Sequence, residues 1–282
     1  MTTRQSERAA TGLVGAAAYR LSGCLAAVTA VAAALTFLFP DVLTGPAAMN
    51  GSARGTALVA GLVAVPLMVP AMVLTARGSL RAAVVWLGAA GYLLYNAVLF
   101  VFATPFNELF LLYVAMLSLS LWSVLALVHD IDAGALAARF SPGLRIRAIV
   151  VYIWVIVGLN TLVWLRGIVP AVLDEEPTAF LADTGLTTNP VYVQDLAWWL
   201  PLMAMAGLWL WRRHPRGYLV AGAGLTFWVV EAVGVAVDQA FGHAADPESS
   251  VTSLAIAWMF AALALVGLVP LYHYLRHLAG SR

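Results

Sequence analysis

The stretch YLVAGAGLTFWVVEAVGVAVDQA, Tyr218 to Ala240, decides how this chain is read. Its 23 residues hold two acids, Glu231 and Asp238, and no base. An α-helix rises about 1.5 Å per residue, so a run of this length matches the roughly 30 Å hydrocarbon core of a bilayer. A helix on a soluble domain would show one polar face; a run that is apolar nearly all round belongs inside a membrane or a large core. Seven more runs of this kind lie at Leu21–Phe39, Thr56–Leu74, Ala82–Ala103, Leu109–Val128, Ala148–Leu165, Val193–Trp211 and Val251–Leu271. The sequence therefore predicts an all-α, polytopic transmembrane helical bundle of about eight spans, with residues 1–282 forming one domain.

Composition excludes the alternatives. Of 282 residues, 62% are hydrophobic and 10% charged, where a soluble domain holds roughly 45–50% and about 25%. A net charge of +1 provides no field that would draw nucleic acid, so the expected surroundings are the lipid bilayer. The single cysteine, Cys24, rules out an intramolecular disulfide and a thiolate-rich metal site, and is expected to be a small core residue. All 15 basic residues are arginine, a bias that points to a GC-rich bacterial genome and hence to a bacterial cell membrane.

Arginine also sets the expected orientation, because short cytoplasmic loops collect basic residues. With the N-terminus inside, Arg4, Arg8 and Arg20, then Arg77 and Arg81, then Arg139, Arg145 and Arg147, then Arg212, Arg213 and Arg216, and finally Arg276 and Arg282 all fall in cytoplasmic segments. Only Arg54 and Arg166 fall outside. Both termini are thus predicted to be cytoplasmic, and the first apolar run, longer than a signal-peptide core, is read as a retained span. The acids Asp174, Glu175, Glu176, Asp183, Asp246 and Glu248 gather in the two larger outer loops. Trp198, Trp199, Trp209 and Trp211 read as interfacial anchors at the two ends of the sixth span.

Local signals add detail. In the outer segment from Gly167 to Tyr192, Pro177 is placed to begin a short helix and Gly185 to end one. Phe180 and Leu181 would then rest on the membrane or cap the bundle. Pro66 and Pro70 remove two backbone donors from the second span and predict a kink there; broken helices of this kind also occur at transporter binding sites. The third and seventh spans read partly alike, GAAGYLLYNAV against GAGLTFWVVEAV with a one-residue gap, as a parallel four-plus-four repeat would require.

Chemistry is sought where ionisable groups enter the hydrocarbon, because an acid at the centre of a span costs about 2.5 to 3.5 kcal/mol on insertion. Counted from the cytoplasmic ends of their spans, Glu231 lies about 20 Å deep, Asn96 about 21 Å and Asn160 about 18 Å. These three are expected to form one polar layer. Asp238 lies beyond Glu231 on the same helical face, Asn107, Glu108 and Asp195 enter at the outer rim, and Tyr95 lies beside Asn96 in sequence. Together they predict an outward-facing polar pocket with Glu231 near its floor, for a small solute or a proton. His129, His214, His273 and His277 gather at cytoplasmic helix ends and are read as interfacial residues, not as ligands of a metal or haem. With no nucleotide, metal-hydrolase or serine-hydrolase signature in the chain, neither a cofactor nor a metal is expected.

The segments FNELFLLYVAMLSLSLW, Phe106 to Trp122, and TNPVYVQDL, Thr188 to Leu196, resemble a group of uncharacterised multi-spanning prokaryotic membrane proteins. The likeness implies a shared fold, carries no activity, and draws attention to Asn107, Asn189, Pro190 and Asp195. Transport or binding of a small solute or ion is the function these residues favour. An intramembrane enzyme acting on a lipid or isoprenoid, and a non-catalytic subunit or sensor, are the alternatives.

Overall fold

A computed structural model describes residues 13–279; Arg4, Arg8 and Arg282 of the charge argument lie outside them. Eight long helices succeed one another: α1 (Ala16–Leu38), α2 (Ala47–Ala76), α3 (Leu80–Phe102), α4 (Phe110–Asp130), α5 (Ile146–Val172), α6 (190–211), α7 (Pro215–Ala245) and α8 (Leu254–His277). A single-turn helix at Ala133–Ala137 and 3-10 turns at Pro40–Val42 and Pro177–Thr184 occupy the connections. Among the described residues the only β pairing is one bridge, Phe140 to Leu278. Seven of the eight helices are long and apolar enough to cross a membrane, the mark of a multi-pass membrane protein. The exception is α6, which carries Gln194 and Asp195.

Burial separates the centre from the rim. Sixteen of the 23 residues of α3 are buried, but only Ile149, Val150 and Ile153 of the 27 in α5. Helix α7 packs on α2, α3, α6 and α8, whereas α5 leans on α6 and barely touches α8. Small residues set the close approaches. A Cβ at Gly51 would lie 2.5 Å from Phe241 O, and one at Gly55 would lie 2.7 Å from Asp238 Cα. The backbones of α2 and α7 therefore touch along this pair, as small-xxx-small spacing permits. This contact explains why α2 begins at Ala47, nine residues before the expected start of its span. Arg54, one of the two arginines on the unexpected side, donates to Phe37 O through Nε and Nη2 and so satisfies the carbonyl end of α1.

From the π turn of α2 to the middle of α3 the chain repeats without a gap in α6 and α7, each position lying 135 residues after its counterpart, whereas α8 starts nine residues later than that register would place it. Helix α2 makes a five-residue π turn at Ala60–Ala64 ahead of Pro66, and α6 makes one at Asp195–Trp199 ahead of Pro201. A proline lacks an N–H and its ring collides with the carbonyl four residues back. In both helices that carbonyl lies inside the π turn, where the wider winding makes room for the ring. The sequence Pro-Leu-Met recurs in each, at residues 66–68 and 201–203. Both helices then end in the same turn: Gly78 N and Ser79 N donate to Thr75 O and Leu74 O, and Arg213 N and His214 N to Leu210 O and Trp209 O. Gly78 (φ +91°) and Arg213 (φ +54°) are both left-handed. The Ser79 and His214 side chains each cap the next helix.

Helices α3 and α7 thus start at counterpart residues, Leu80 and Pro215, and run in the same direction. They touch at counterparts too, since a Cβ on Gly88 would lie 2.6 Å from Ala223 O. Contact between counterpart residues is the arrangement that a pseudo-twofold axis through this point would give. The gapped alignment of glycines expected from the sequence is corrected by one residue, because proline and turn positions, not glycines, hold the register.

Other expectations meet mixed outcomes. The 3-10 turn begins at Pro177 and ends at Gly185, which is left-handed at φ +67°, as expected. Phe180 stacks on Tyr192 at 5.9 Å. Pro66 and Pro70 do not break α2, which stays continuous from Ala47 to Ala76. Cys24 is exposed and not a core residue, because α1 turns Ser22, Leu25, Ala26 and Thr29 inward and presents its opposite face outside. Trp199 is no surface anchor: it lies flat on Phe227, with ring centres 4.9 Å apart and planes 4° apart.

Candidate functional site at the contact between the two halves

Asn96 and Glu231 are counterparts, each sixteen residues beyond the start of its helix, about 24 Å along it. They meet. Asn96 Nδ2 donates to Glu231 Oε2 at 3.1 Å and also to Tyr92 O at 3.1 Å. Asn96 is 3% exposed and Glu231 half-buried. An interhelical hydrogen bond in a membrane contributes only about 0.6 kcal/mol on average, several-fold less than the insertion cost of an acid at the centre of a span. Helix association alone therefore does not account for a carboxyl here.

Two more carboxyls lie close enough to interact with it electrostatically. Asp238 sits two turns further along α7. Asp195 opens the π turn of α6 and accepts from Trp164 Nε1 at 2.8 Å, with the Tyr95 phenol beside it. The π turn is what aims Asp195. One extra residue in the winding rotates the two flanking parts of the helix by about 100° relative to each other, so Asp195 faces Trp164 and Tyr95 while Leu200 and Met203 are buried below. Gln194 closes the same corner, donating to Tyr95 O and accepting from Trp199 Nε1, both at 3.3 Å.

No base balances these acids. The only ion pair among the described residues is His129–Asp130, near the arginine-rich end of α4. No group of three His, Cys, Asp or Glu side chains among the described residues is placed to hold a metal. His273 Nε2 accepts from Arg145 N and His277 Nδ1 meets His273 O, so these imidazoles serve the local fold.

The remaining sequence candidates do not join. Asn160 is half-buried on the peripheral α5 and bonds neither Glu231 nor Asn96, so the expected three-residue layer reduces to two. Asn107 holds the turn that leads into α4 by accepting from Leu109 N at 2.9 Å, and Glu108 is exposed. Tyr92 and Trp164 are not singled out by the sequence. Tyr92 precedes Asn96 by one turn and shares its face, a signal that the sequence does contain; for Trp164 there is none.

Two cavities lie at the acidic-loop end, and neither reaches Glu231. One of about 190 Å³ sits among Met49, Asn50, Phe102, Thr104 and Gly185. The other, about 530 Å³ and mostly apolar, lies between the ends of α5 and α6 beneath the Pro177 turn, with Leu196 and Ala197 of the π turn in its wall. No family model matches the chain, and no curated protein or solved structure is similar to it.

Proposed function

We propose that this chain is a transport or binding protein of the cell membrane, with eight spans, both termini cytoplasmic, and a site for a small solute or ion where α3 meets α7 at Glu231. The observation that carries it is the Asn96–Glu231 bond between counterpart residues. Transporters built from parallel repeats bind substrate and coupling ions near mid-membrane at the interface between the repeats. An acid without a basic partner at that interface supports the same reading. The arginine distribution supports α6 as an eighth span, because without it Arg212, Arg213 and Arg216 would change sides. The resemblance of Phe106–Trp122 and Thr188–Leu196 to uncharacterised prokaryotic membrane proteins is compatible with this and adds no activity.

A thermal-shift screen of amino acids, sugars and small organic cations against the purified protein tests the site. A solute that stabilises the unsubstituted protein should not stabilise Glu231→Gln. Equal stabilisation of both by every active solute would remove Glu231 from the site.

The apolar cavity walled by Leu196 and Ala197, the residues that follow Asp195 in the π turn, favours a second reading, an enzyme acting on a lipid or isoprenoid. Overexpression should then change the cellular lipid profile, and Asp195→Asn should reverse the change where Glu231→Gln does not.

A further inference from the structure

The geometry points to a proton as the ligand of the Glu231 site, exchanged with the acidic-loop end of the bundle through Tyr92 and Asp238. This deepens the binding reading above and shares with it only the role of Glu231.

Three positions of α7 line one face: Glu231, Gly234 and Asp238, at spacings of three and four. Over Gly234 lies the hydroxyl of Tyr92, 3.0 Å from where a Cβ would stand. Tyr92 is 0% exposed and its hydroxyl has no hydrogen-bond partner, nor has Asp238 Oδ1. A fully buried phenol without a partner is costly, and this one lies over Gly234, three residues from Glu231 and four from Asp238 along the same face of α7. It is bonded to neither carboxyl here; a turn of the side chains that brought it onto both would let it accept from one and donate to the other.

The groups facing this line from each neighbouring helix are few. Helix α3 contributes Tyr92, Tyr95 and Asn96, α6 contributes Asp195, and α2 contributes Ser52, whose Oγ donates to Asp238 O at 3.3 Å. No base reaches Glu231: Arg54 binds Phe37 O, His243, whose buried Nδ1 is unpartnered, lies five residues beyond Asp238 and twelve beyond Glu231 on α7, and the ionisable residues of α8 lie between Tyr272 and His277 at its far end. No bound base therefore competes with a proton for Glu231.

The route is one-sided. From Glu231 back to Arg216, α7 carries only Tyr218, Thr226 and Trp228 as side chains with a polar atom; the Thr226 hydroxyl is bonded to Gly222 O and an indole N–H cannot accept a proton. Towards the other end, Asp238 is succeeded by Gln239, whose Oε1 accepts from Ser253 N in the loop before α8. In the transfer, Asp238 gives its proton to the Tyr92 oxygen as the Tyr92 O–H proton passes to the Glu231 carboxylate. Tyr92 ends neutral, Asp238 is left a carboxylate, and water at the acidic-loop end reprotonates it.

Infrared difference spectroscopy on proteoliposomes, captured in one orientation by a tag on the N-terminus, tests this. The neutral carboxylic C=O band that Glu231→Gln removes should track the pH on the acidic-loop side and ignore the pH on the other. Tyr92→Phe and Asp238→Asn should each keep that band and slow its response about 100-fold, the low end for loss of a positioned proton donor. A band that tracks the opposite side, that does not titrate, or that responds at the original rate in both variants overturns the proposal. Solute binding plays no part in this readout, so the two readings fail separately.

Discussion

The first half of the molecule, α1 to α4, and the second, α5 to α8, share one plan and differ in where they carry charge. Asp195, Glu231 and Asp238 in the second half correspond to Ala60, Asn96 and Ala103 in the first. All three acids thus belong to one copy of the repeat, and the other supplies an amide donor and small apolar side chains. The packing differs in the same sense. Helix α1 lies against α4 over much of its length, while the corresponding α5 and α8 hardly meet. The segment 182–189, counterpart of the first turns of α2, is not α-helical but holds Gly185 and borders the smaller cavity. The looser packing of the second half is confined to α5, since α7 of the same half is packed on four helices.

The hardest test of this division is to make the halves alike. Asn96→Glu would set two carboxyls against each other on the pseudo-axis, and should destabilise the folded protein by about 3 kcal/mol, the insertion cost of a second acid without a partner. The exchange Asn96→Glu with Glu231→Asn restores one acid and one amide, and should recover most of that loss. Thermal unfolding of the four proteins as a double-mutant cycle measures the coupling. An exchanged protein no more stable than Asn96→Glu alone would mean that the contact is not pseudo-symmetric.

A smaller effect is expected where only the first half has the close contact. Gly55→Ala forces a methyl into the Asp238 backbone and should cost about 1 to 3 kcal/mol by overpacking, read as a lower midpoint in the same unfolding assay. A neutral result would separate α2 from α7 at this level.

The smallest change tests the two π turns against each other. Pro201→Ala removes the ring that the α6 turn accommodates, so residues 195–199 can wind as α-helix and carry Asp195 away from Trp164, a loss of about 0.5 to 1.5 kcal/mol for one hydrogen bond. With cysteines at 164 and 195 in a Cys24→Ser background, cross-linking by a short bis-thiol reagent should fall when Pro201→Ala is added. Pro66→Ala should leave it unchanged. Equal yields in all three would show that the turn is held by something other than proline.

Legibility in the sequence depends on the kind of physics behind each feature. The positions of the long helices and the Pro177–Gly185 turn can be read because apolar run length and backbone chemistry act locally. The site is half legible. Glu231 and Asn96 stand out as polar residues at matching depth, whereas Asn160 matches their depth but lies on a helix that faces elsewhere. Depth is a property of one helix, and direction is a property of the packing. The repeat is visible in the sequence but misregistered, because its glycines pack against different partners in each half, Gly222 on Tyr274 and Gly88 on Thr226. The Gly51 and Gly55 pair is hidden because Arg54 between them suggests a loop, and only the Phe37 carbonyl explains its place in a helix.

That this is a helical membrane protein is settled by the amino-acid order alone, because apolar run length against bilayer thickness requires no knowledge of neighbours. The same order marks the acids that need a reason to be there. Which of them meet is fixed by the packed bundle, since that depends on the rotation of each helix about its axis. A proline-induced π turn alters that rotation by about 100° while leaving the apolar pattern almost unchanged.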